Sequence, residues 1–199
     1  EKYNLLAQTC TDFELGYDRL TDRITIPRRN FKGQLIEVKG RSADNDDYPK
    51  YLGLGNREWK EDYKFPRIKD TSLVFGLDTA TPELIICEGE FVALDMRQLG
   101  FTGPIAIGPS NISEKQLKNI LKKAERATIL FDPDDAGYEG AEQAIDLLYG
   151  NIPVTIALLP SPDPEKISKS EMEGIIKNAN TPLEFKKFYK EHKVTSQEN

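Results

Sequence analysis

The order of apolar and polar residues changes near residue 72, and the two parts of the chain predict different structures. Before that point, residues 23–29 and 34–41 are two strand-like runs joined by a turn at residues 30–33, which predicts an antiparallel hairpin. After it, short apolar runs alternate with helical patterns, which predicts an α/β fold with a parallel sheet flanked by helices on both faces. The four apolar runs are residues 84–87, 104–107, 128–131 and 154–159.

The helical patterns between and after these runs have recognisable starts and breaks. Residues 90–99 have a helical pattern, Ser113 is a candidate cap for the next helix, and apolar residues at 141–148 share one face of another. The tail from Ser168 predicts two short helices separated near residues 181–182. Residues 1–18 show no clear period.

Composition excludes several classes of protein. Of the 199 residues, 38% are hydrophobic and 30% are charged, which is typical of a globular protein with a polar surface. No apolar run approaches the ~20 residues that span a bilayer. Two cysteines, Cys10 and Cys87, are too few for a disulfide framework or a tetrahedral zinc site. We therefore expect a cytoplasmic protein with no membrane partner, and, since the sequence starts with Glu1, a segment of a longer one.

Charge is unevenly distributed along the chain. The net charge is −6, yet residues 19–41 hold seven basic and two acidic residues, a net charge of +5. A basic strip beside an acidic body is common in enzymes that hold a polyanion and bind metal ions. A solvated hairpin face would give the same pattern.

Acidic residues follow three of the four apolar runs. Glu88 follows the first run, Asp132 and Asp134 follow the third, and Asp163 and Glu165 follow the fourth. The carboxyl ends of parallel strands meet at one edge of a sheet, where ligands bind. Turn formation or helix capping explains any one of these acids. Taken together, they predict a site for Mg²⁺ or Mn²⁺, which prefer oxygen ligands.

Other catalytic motifs are missing from the sequence. There is no phosphate-loop lysine motif, and the spacing after Asp132 does not fit an EF-hand. His192 is the single histidine and lies in the C-terminal tail, which argues against a hydrolytic triad.

The ordered set of motifs resembles a known family. Glu88-Gly89 after one strand and residues 132–137 (DPDDAG) after another are similar to the TOPRIM domain of DnaG-type primases, topoisomerases and some nucleases. Residues 17–27, Gly40-Arg41, residues 49–52 and residues 75–77 are similar to successive landmarks of bacterial DnaG-type primases. The chain departs from that family at Val92, where an acid is usual.

The resemblance implies a role for each matching residue. Glu88, Asp132 and Asp134 would be catalytic residues and hold Mg²⁺ or Mn²⁺, with Asp163 and Glu165 extending the metal site. Nucleic acid or nucleotide phosphates would be bound by Arg28, Arg29, Lys39, Arg41, Lys50, Tyr51, Lys69 and Asn111.

The same resemblance implies an organisation and an activity. We expect a basic mixed α+β subdomain at residues 1–75, a TOPRIM subdomain at 76–165 and a helical tail at 166–199. The expected function is the catalytic core of a primase, which joins ribonucleoside triphosphates into a primer on single-stranded DNA. A replicative helicase would be contacted through regions outside this chain. A TOPRIM nuclease and a non-catalytic nucleic-acid-binding module are the alternatives.

Overall fold

A computed structural model describes residues 4–43, 49–53, 71–108, 111–160 and 167–197, with side chains as far as residue 191. The helices are α1 (Ala7–Asp12), α2 (Glu90–Gln98), α3 (Glu114–Lys123), α4 (Asp135–Leu148), α5 (Lys169–Lys177) and α6 (Pro182–Gln197). The strands are β1 (Gly16–Asp18), β2 (Arg23–Arg29), β3 (Leu35–Ser42), β4 (Tyr51–Gly53), β5 (Glu83–Cys87), β6 (Pro104–Ala106), β7 (Arg126–Phe131) and β8 (Val154–Leu158).

The first sheet is antiparallel and contains the predicted hairpin. Its strand order is β1-β2-β3-β4, and β2 and β3 form the central pair. The turn between them closes because the Asn30 side-chain oxygen accepts hydrogen bonds from the backbone N–H groups of Lys32 and Gln34. Gly33 adopts a φ of 77°, a conformation that glycine tolerates best. The hairpin is confirmed, whereas α1 and β1 have no counterpart in the sequence prediction.

The second sheet is parallel, with strand order β6-β5-β7-β8. Both faces of this sheet are buried, since alternate residues along each strand belong to different apolar clusters. In β5, Leu84 and Ile86 face the cluster formed with α3, α4 and α6, while Ile85 and Cys87 face the cluster formed with α2 and α5. The α/β fold with helices on both faces is therefore confirmed.

The start of α3 agrees with the prediction, because Ser113 caps it in a capping box with Gln116. The sequence predicted no start for α4; Asp134 caps it, and it begins six residues before the predicted apolar face. The tail divides into α5 and α6 as expected, although α6 is 16 residues long. Phe185 and Tyr189 of α6 stack on Tyr138 of α4, which holds the tail on the parallel sheet.

The antiparallel sheet contacts the α2 side of the parallel sheet. Ile26 of β2 is fully buried within the cluster that contains α2. Phe75, at the expected boundary between the two subdomains, pairs in antiparallel orientation with Ala106 of β6. The contact brings the basic hairpin close to the start of α2, while the subdomain limits at residues 75 and 165 remain predictions. In the described residues, no helix is both long and apolar enough to cross a membrane.

Candidate active site

Two of the predicted carboxylates lie at neighbouring strand ends. Glu88 follows β5 directly, Asp132 follows β7 directly, and these strands pair with Cys87 opposite Leu130. The backbone carbonyl of Glu88 accepts a hydrogen bond from the N–H of Gly108, beyond β6, at 2.9 Å. The backbone around Glu88 is thus held by strands on both sides, and the two side chains share the carboxyl edge of the sheet.

The turn after β7 positions Asp132 and Asp134 through a tight backbone contact. A side-chain oxygen of Asp134 accepts a hydrogen bond from the N–H of Gly137 at 2.7 Å and so caps α4. A methyl group on Gly137 would overlap the backbone carbonyl oxygen of Asp132. Glycine at this position therefore lets the first turn of α4 pack directly on the residue that carries the second carboxylate.

Burial and mutual repulsion raise the pKa of two of these groups. The pKa of Glu88 is raised mainly by burial and further by the charges of Asp132 and Asp134. The pKa of Asp132 is raised by burial and by the charge of Asp134. The charge of Lys50 lowers the pKa of both, so this charge lies close enough to act on both carboxyl groups. Carboxylates that repel one another in this way form a natural position for a cation.

The carboxylates face one another without forming a closed ligand set. Over the stretches of chain that the structure describes, no three His, Cys, Asp or Glu side chains are close enough together to hold a metal ion as they stand. The donors nevertheless fit Mg²⁺ or Mn²⁺, because all of them are oxygens. Asp163, Glu165 and Lys69 lie outside the described residues, so their roles remain predictions.

Two predicted nucleic-acid contacts are engaged in internal bonds. Arg28 bonds both Glu37, at 3.3 Å, and the backbone carbonyl of Leu73, at 3.0 Å. Arg29 bonds Glu14 and the carbonyl of Gly33. These arginines connect the hairpin to its surroundings, so the basic strip is less available to phosphates than its charge predicts.

Lys39, Arg41 and Tyr51 form a second internal group. The Nζ atom of Lys39 lies 2.7 Å from a carboxylate oxygen of Glu90 and 4.1 Å from the ring centre of Tyr51. The Arg41 guanidinium lies 4.9 Å from the ring centres of both Tyr51 and Phe91 and donates to the Tyr51 hydroxyl. The sequence did not identify Glu90 as a candidate site residue. The one signal that could have identified it is its position two residues after Glu88.

The remaining predicted contacts, Lys50 and Asn111, are exposed. Lys50 precedes β4 and faces the carboxylates, while Asn111 lies between β6 and α3. Both are placed where a ligand at the carboxyl edge would reach them. Their binding roles remain predictions.

The residues around Val92 belong to the interior of the protein. Val92 is partly buried against the apolar cluster on the α2 side of the sheet. Asp95, about one helical turn beyond Val92, is buried. Burial raises the pKa of the Cys87 thiol, and the charges of Asp132 and Asp95 add to that effect. Cys87 itself is fully buried in β5, as its apolar run predicts. The position four residues after Glu88, where the family that the sequence resembles usually has an acid, is therefore apolar in this chain.

The raised pKa of Asp132 predicts a specific pH dependence of stability. A carboxyl group whose pKa is higher in the folded than in the unfolded chain destabilises the fold once it is ionised. In EDTA at pH 7, Asp132→Asn should therefore raise Tm by about 1–3 °C, given the partial exposure of the group. The difference should shrink as the pH falls through the raised pKa of Asp132 toward its value in the unfolded chain. A wild-type chain that is equally or more stable at pH 7 would contradict the destabilisation of ionised Asp132 by burial and by the charge of Asp134.

Known proteins match both the sequence and the fold. Residues 83–159 match the Toprim domain. The chain is 27% identical over 187 residues to the DNA primase of Listeria monocytogenes, an alignment that covers 89% of this chain and 27% of that protein. It spans about a quarter of the length of the curated relatives that it matches.

Solved structures share the architecture. The zinc-binding and RNA polymerase domains of the Aquifex aeolicus primase superpose with a TM-score of 0.75 at 22% identity, covering 90% of this chain and 54% of that one. A DnaG primase catalytic domain bound to single-stranded DNA gives a TM-score of 0.74 at 18% identity, covering 92% of this chain and 71% of that one. The parallel sheet, the carboxylates at its edge and the relatives agree: residues 83–159 are a Toprim domain, and the chain is similar in sequence and in fold to bacterial DnaG-type primases.

Proposed function

We propose that this chain is the catalytic core of a DNA primase, a nucleotidyltransferase that joins ribonucleoside triphosphates into short RNA primers on single-stranded DNA. The observation that carries the proposal is the placement of Glu88 and Asp132 at the ends of neighbouring parallel strands. The charge of Lys50, which lowers the pKa of both, supports it. Carboxylates and a lysine at one sheet edge suit nucleotidyl transfer, in which a 3′-hydroxyl attacks the α-phosphorus of a triphosphate and pyrophosphate leaves. The similarity to bacterial primases supports the same reaction.

The metal of the reaction would be Mg²⁺ or Mn²⁺, held by Glu88, Asp132 and Asp134 and, outside the described residues, by Asp163 and Glu165. When bound, the metal would neutralise triphosphate charge and lower the pKa of the attacking 3′-hydroxyl. The protein would hold each oxygen ligand at a backbone position that is fixed by its neighbours. Glu88 is held between β6 and β7, while Asp132 and Asp134 are held by the packing of Gly137.

The exposed side chains at this edge would bind the substrates. Lys50 neutralises charge beside Glu88 and Asp132, where the triphosphate must lie. Asn111 would contribute a further contact to nucleotide or template, as would Lys69, which lies outside the described residues. The bound DNA of the DnaG catalytic domain supports single-stranded DNA as the template. A replicative helicase, engaged through regions outside this chain, and a cytoplasmic location complete the proposal.

A primer-synthesis assay tests this function. The 199-residue chain is incubated with single-stranded DNA, labelled ribonucleoside triphosphates and Mg²⁺ or Mn²⁺. Short labelled RNA products that require template are the expected result. A parallel incubation with labelled DNA tests for cleavage. Cleavage without synthesis would favour a Toprim nuclease, and DNA binding with neither reaction would favour a non-catalytic module.

Lys50 provides a prediction about substrate binding. Lys50→Ala removes a charge-assisted contact to phosphate, which is worth about 1.5–3 kcal/mol. We expect the KM for ribonucleoside triphosphates to rise about tenfold or more. Lys122→Ala is the control, because it makes the same charge change away from the carboxyl edge. Lys122 lies in the last turn of α3, before the amino end of β7. Equal KM values for the two variants would show that Lys50 does not bind the triphosphate.

A further inference from the structure

A buried ion pair joins the antiparallel sheet to the helix that follows Glu88. Glu90 is the first residue of α2 and is 2% exposed, and its carboxylate lies 2.7 Å from the Nζ atom of Lys39 in β3. The Lys39 side chain is 13% exposed. The two residues are 51 positions apart in sequence, so the pair forms only when both sheets are in place.

The surroundings of the pair restrict both partners. The Lys39 ammonium also lies over the Tyr51 ring, and Arg41 lies over the rings of Tyr51 and Phe91. Phe91, next to Glu90, is buried in the apolar cluster of α2. Two consecutive residues of the first turn of α2 are therefore held by side chains of β3 and β4.

Stability alone is a poor explanation for such a pair. Taking two charges out of water costs as much free energy as their attraction returns, and apolar residues of similar volume often serve equally well. A buried pair does fix one arrangement, because either charge alone would be strongly unfavourable. The arrangement fixed here is the first turn of α2, which begins two residues after Glu88.

We propose that Lys39 and Glu90 are positioning residues for Glu88: their ion pair sets the path of the backbone between β5 and α2 and thereby the direction of the Glu88 carboxylate. This inference rests on the proposed function, since it assigns the pair to the metal-binding edge. It also changes the role of Lys39, which the sequence predicted to bind nucleic acid. On this proposal the Lys39 ammonium bonds Glu90 rather than a phosphate.

The test uses Lys39→Met, Glu90→Gln and the double variant of the full 199-residue chain. Three quantities are measured: Tm, the Kd for Mn²⁺ well below Tm, and the slope of log affinity for an oligothymidine against log salt concentration. Lys186→Met is the matched control, because Lys186 and Asp146 form a pair at the same 2.6–2.7 Å distance on the surface. Asp132→Asn is included as a separate test of whether the carboxylates bind Mn²⁺.

We expect both single variants to raise the Kd for Mn²⁺ about tenfold or more, as outer partners of metal ligands do. The Kd of the double variant for Mn²⁺ should be no higher than that of the single variant that binds Mn²⁺ less tightly. The reason is that both substitutions remove the same interaction. Lys39→Met should lower Tm by about 5–15 °C through the carboxylate it leaves unpaired. The salt slope should equal that of wild type, and Lys186→Met should change none of these values appreciably.

Three results would overturn the positioning role. A fall in Tm with an unchanged Kd for Mn²⁺ would make the pair purely structural. A salt slope reduced by about 0.7 in Lys39→Met but not in Glu90→Gln would mean that Lys39 contacts a phosphate of the strand. If Asp132→Asn binds Mn²⁺ as wild type does, the metal site itself is refuted, and the positioning role with it.

Conservative variants cover the case in which the charge-removing variants do not fold. Lys39→Arg and Glu90→Asp keep both charges and alter the distance between β3 and α2. Each should give a Kd for Mn²⁺ between those of wild type and a chain without the pair. Wild-type values for both would overturn the role.

Discussion

Asp132→Asn should lower the rate of primer synthesis by about 10²–10³-fold while leaving the fold intact. Asparagine keeps the size of the side chain and removes the charge that a divalent cation requires. The loss of several kcal/mol of charge stabilisation in the transition state corresponds to a rate change of this size. The measurement is the initial rate of template-dependent RNA synthesis at saturating triphosphate, with circular dichroism to verify folding.

Asp135→Asn is the matched control for this experiment. Asp135 lies three positions further along the same segment, in the first turn of α4, is exposed, and undergoes the same chemical change. Its variant should retain activity within a few-fold of wild type. Similar losses of activity in both variants would indicate a general effect of charge. An Asp132→Asn variant with wild-type activity would show that the Asp132 carboxylate takes no part in the reaction.

Gly137→Ala should disrupt the candidate active site through the backbone. The added methyl group would overlap the carbonyl oxygen of Asp132, so either the first turn of α4 or the end of β7 must move. We expect a loss of about 1–3 kcal/mol of stability, as overpacked sites show, and a Tm lower by about 3–10 °C. Primer synthesis should fall by more than the loss of folded protein explains, because Asp132 and Asp134 both flank the contact.

Gly174→Ala makes the same substitution where space is open. Gly174 lies within α5, and a methyl group there would have no neighbour within 4 Å. Since alanine favours helix over glycine by about 1 kcal/mol, this variant should be slightly more stable than wild type. A Gly137→Ala chain as stable and active as Gly174→Ala would show that the packing against Asp132 is unimportant.

Local patterns were sufficient to predict most of the elements of the parallel sheet. Its strands are continuous apolar runs, and Ser113 and Asp134 are strong helix caps with clear sequence signals. Helix α1 was missed because it is six residues long and has no side-chain cap, so it leaves little periodicity to detect. Strand β1 is three residues long and largely exposed, which removes the same signal.

Pairing between distant residues could not be predicted from the sequence. The approach of Glu88 and Asp132 depends on β5 and β7 being neighbours, although β6 lies between them in the chain. Likewise, Arg28, Arg29 and Lys39 look like free surface charges in the sequence, and their partners are set by the tertiary fold. Glu90 resembles an ordinary acid at a helix start until β3 brings Lys39 beside it.

We expect Glu88, Asp132 and Asp134 to form the metal-binding edge of the reaction centre. A Mn²⁺ titration of wild type, Glu88→Gln, Asp132→Asn and Asp135→Asn, all verified as folded, decides whether they do. Wild type and Asp135→Asn should bind Mn²⁺ with similar affinity, and Glu88→Gln and Asp132→Asn should lose that binding. Identical titration curves for all four chains would contradict this expectation.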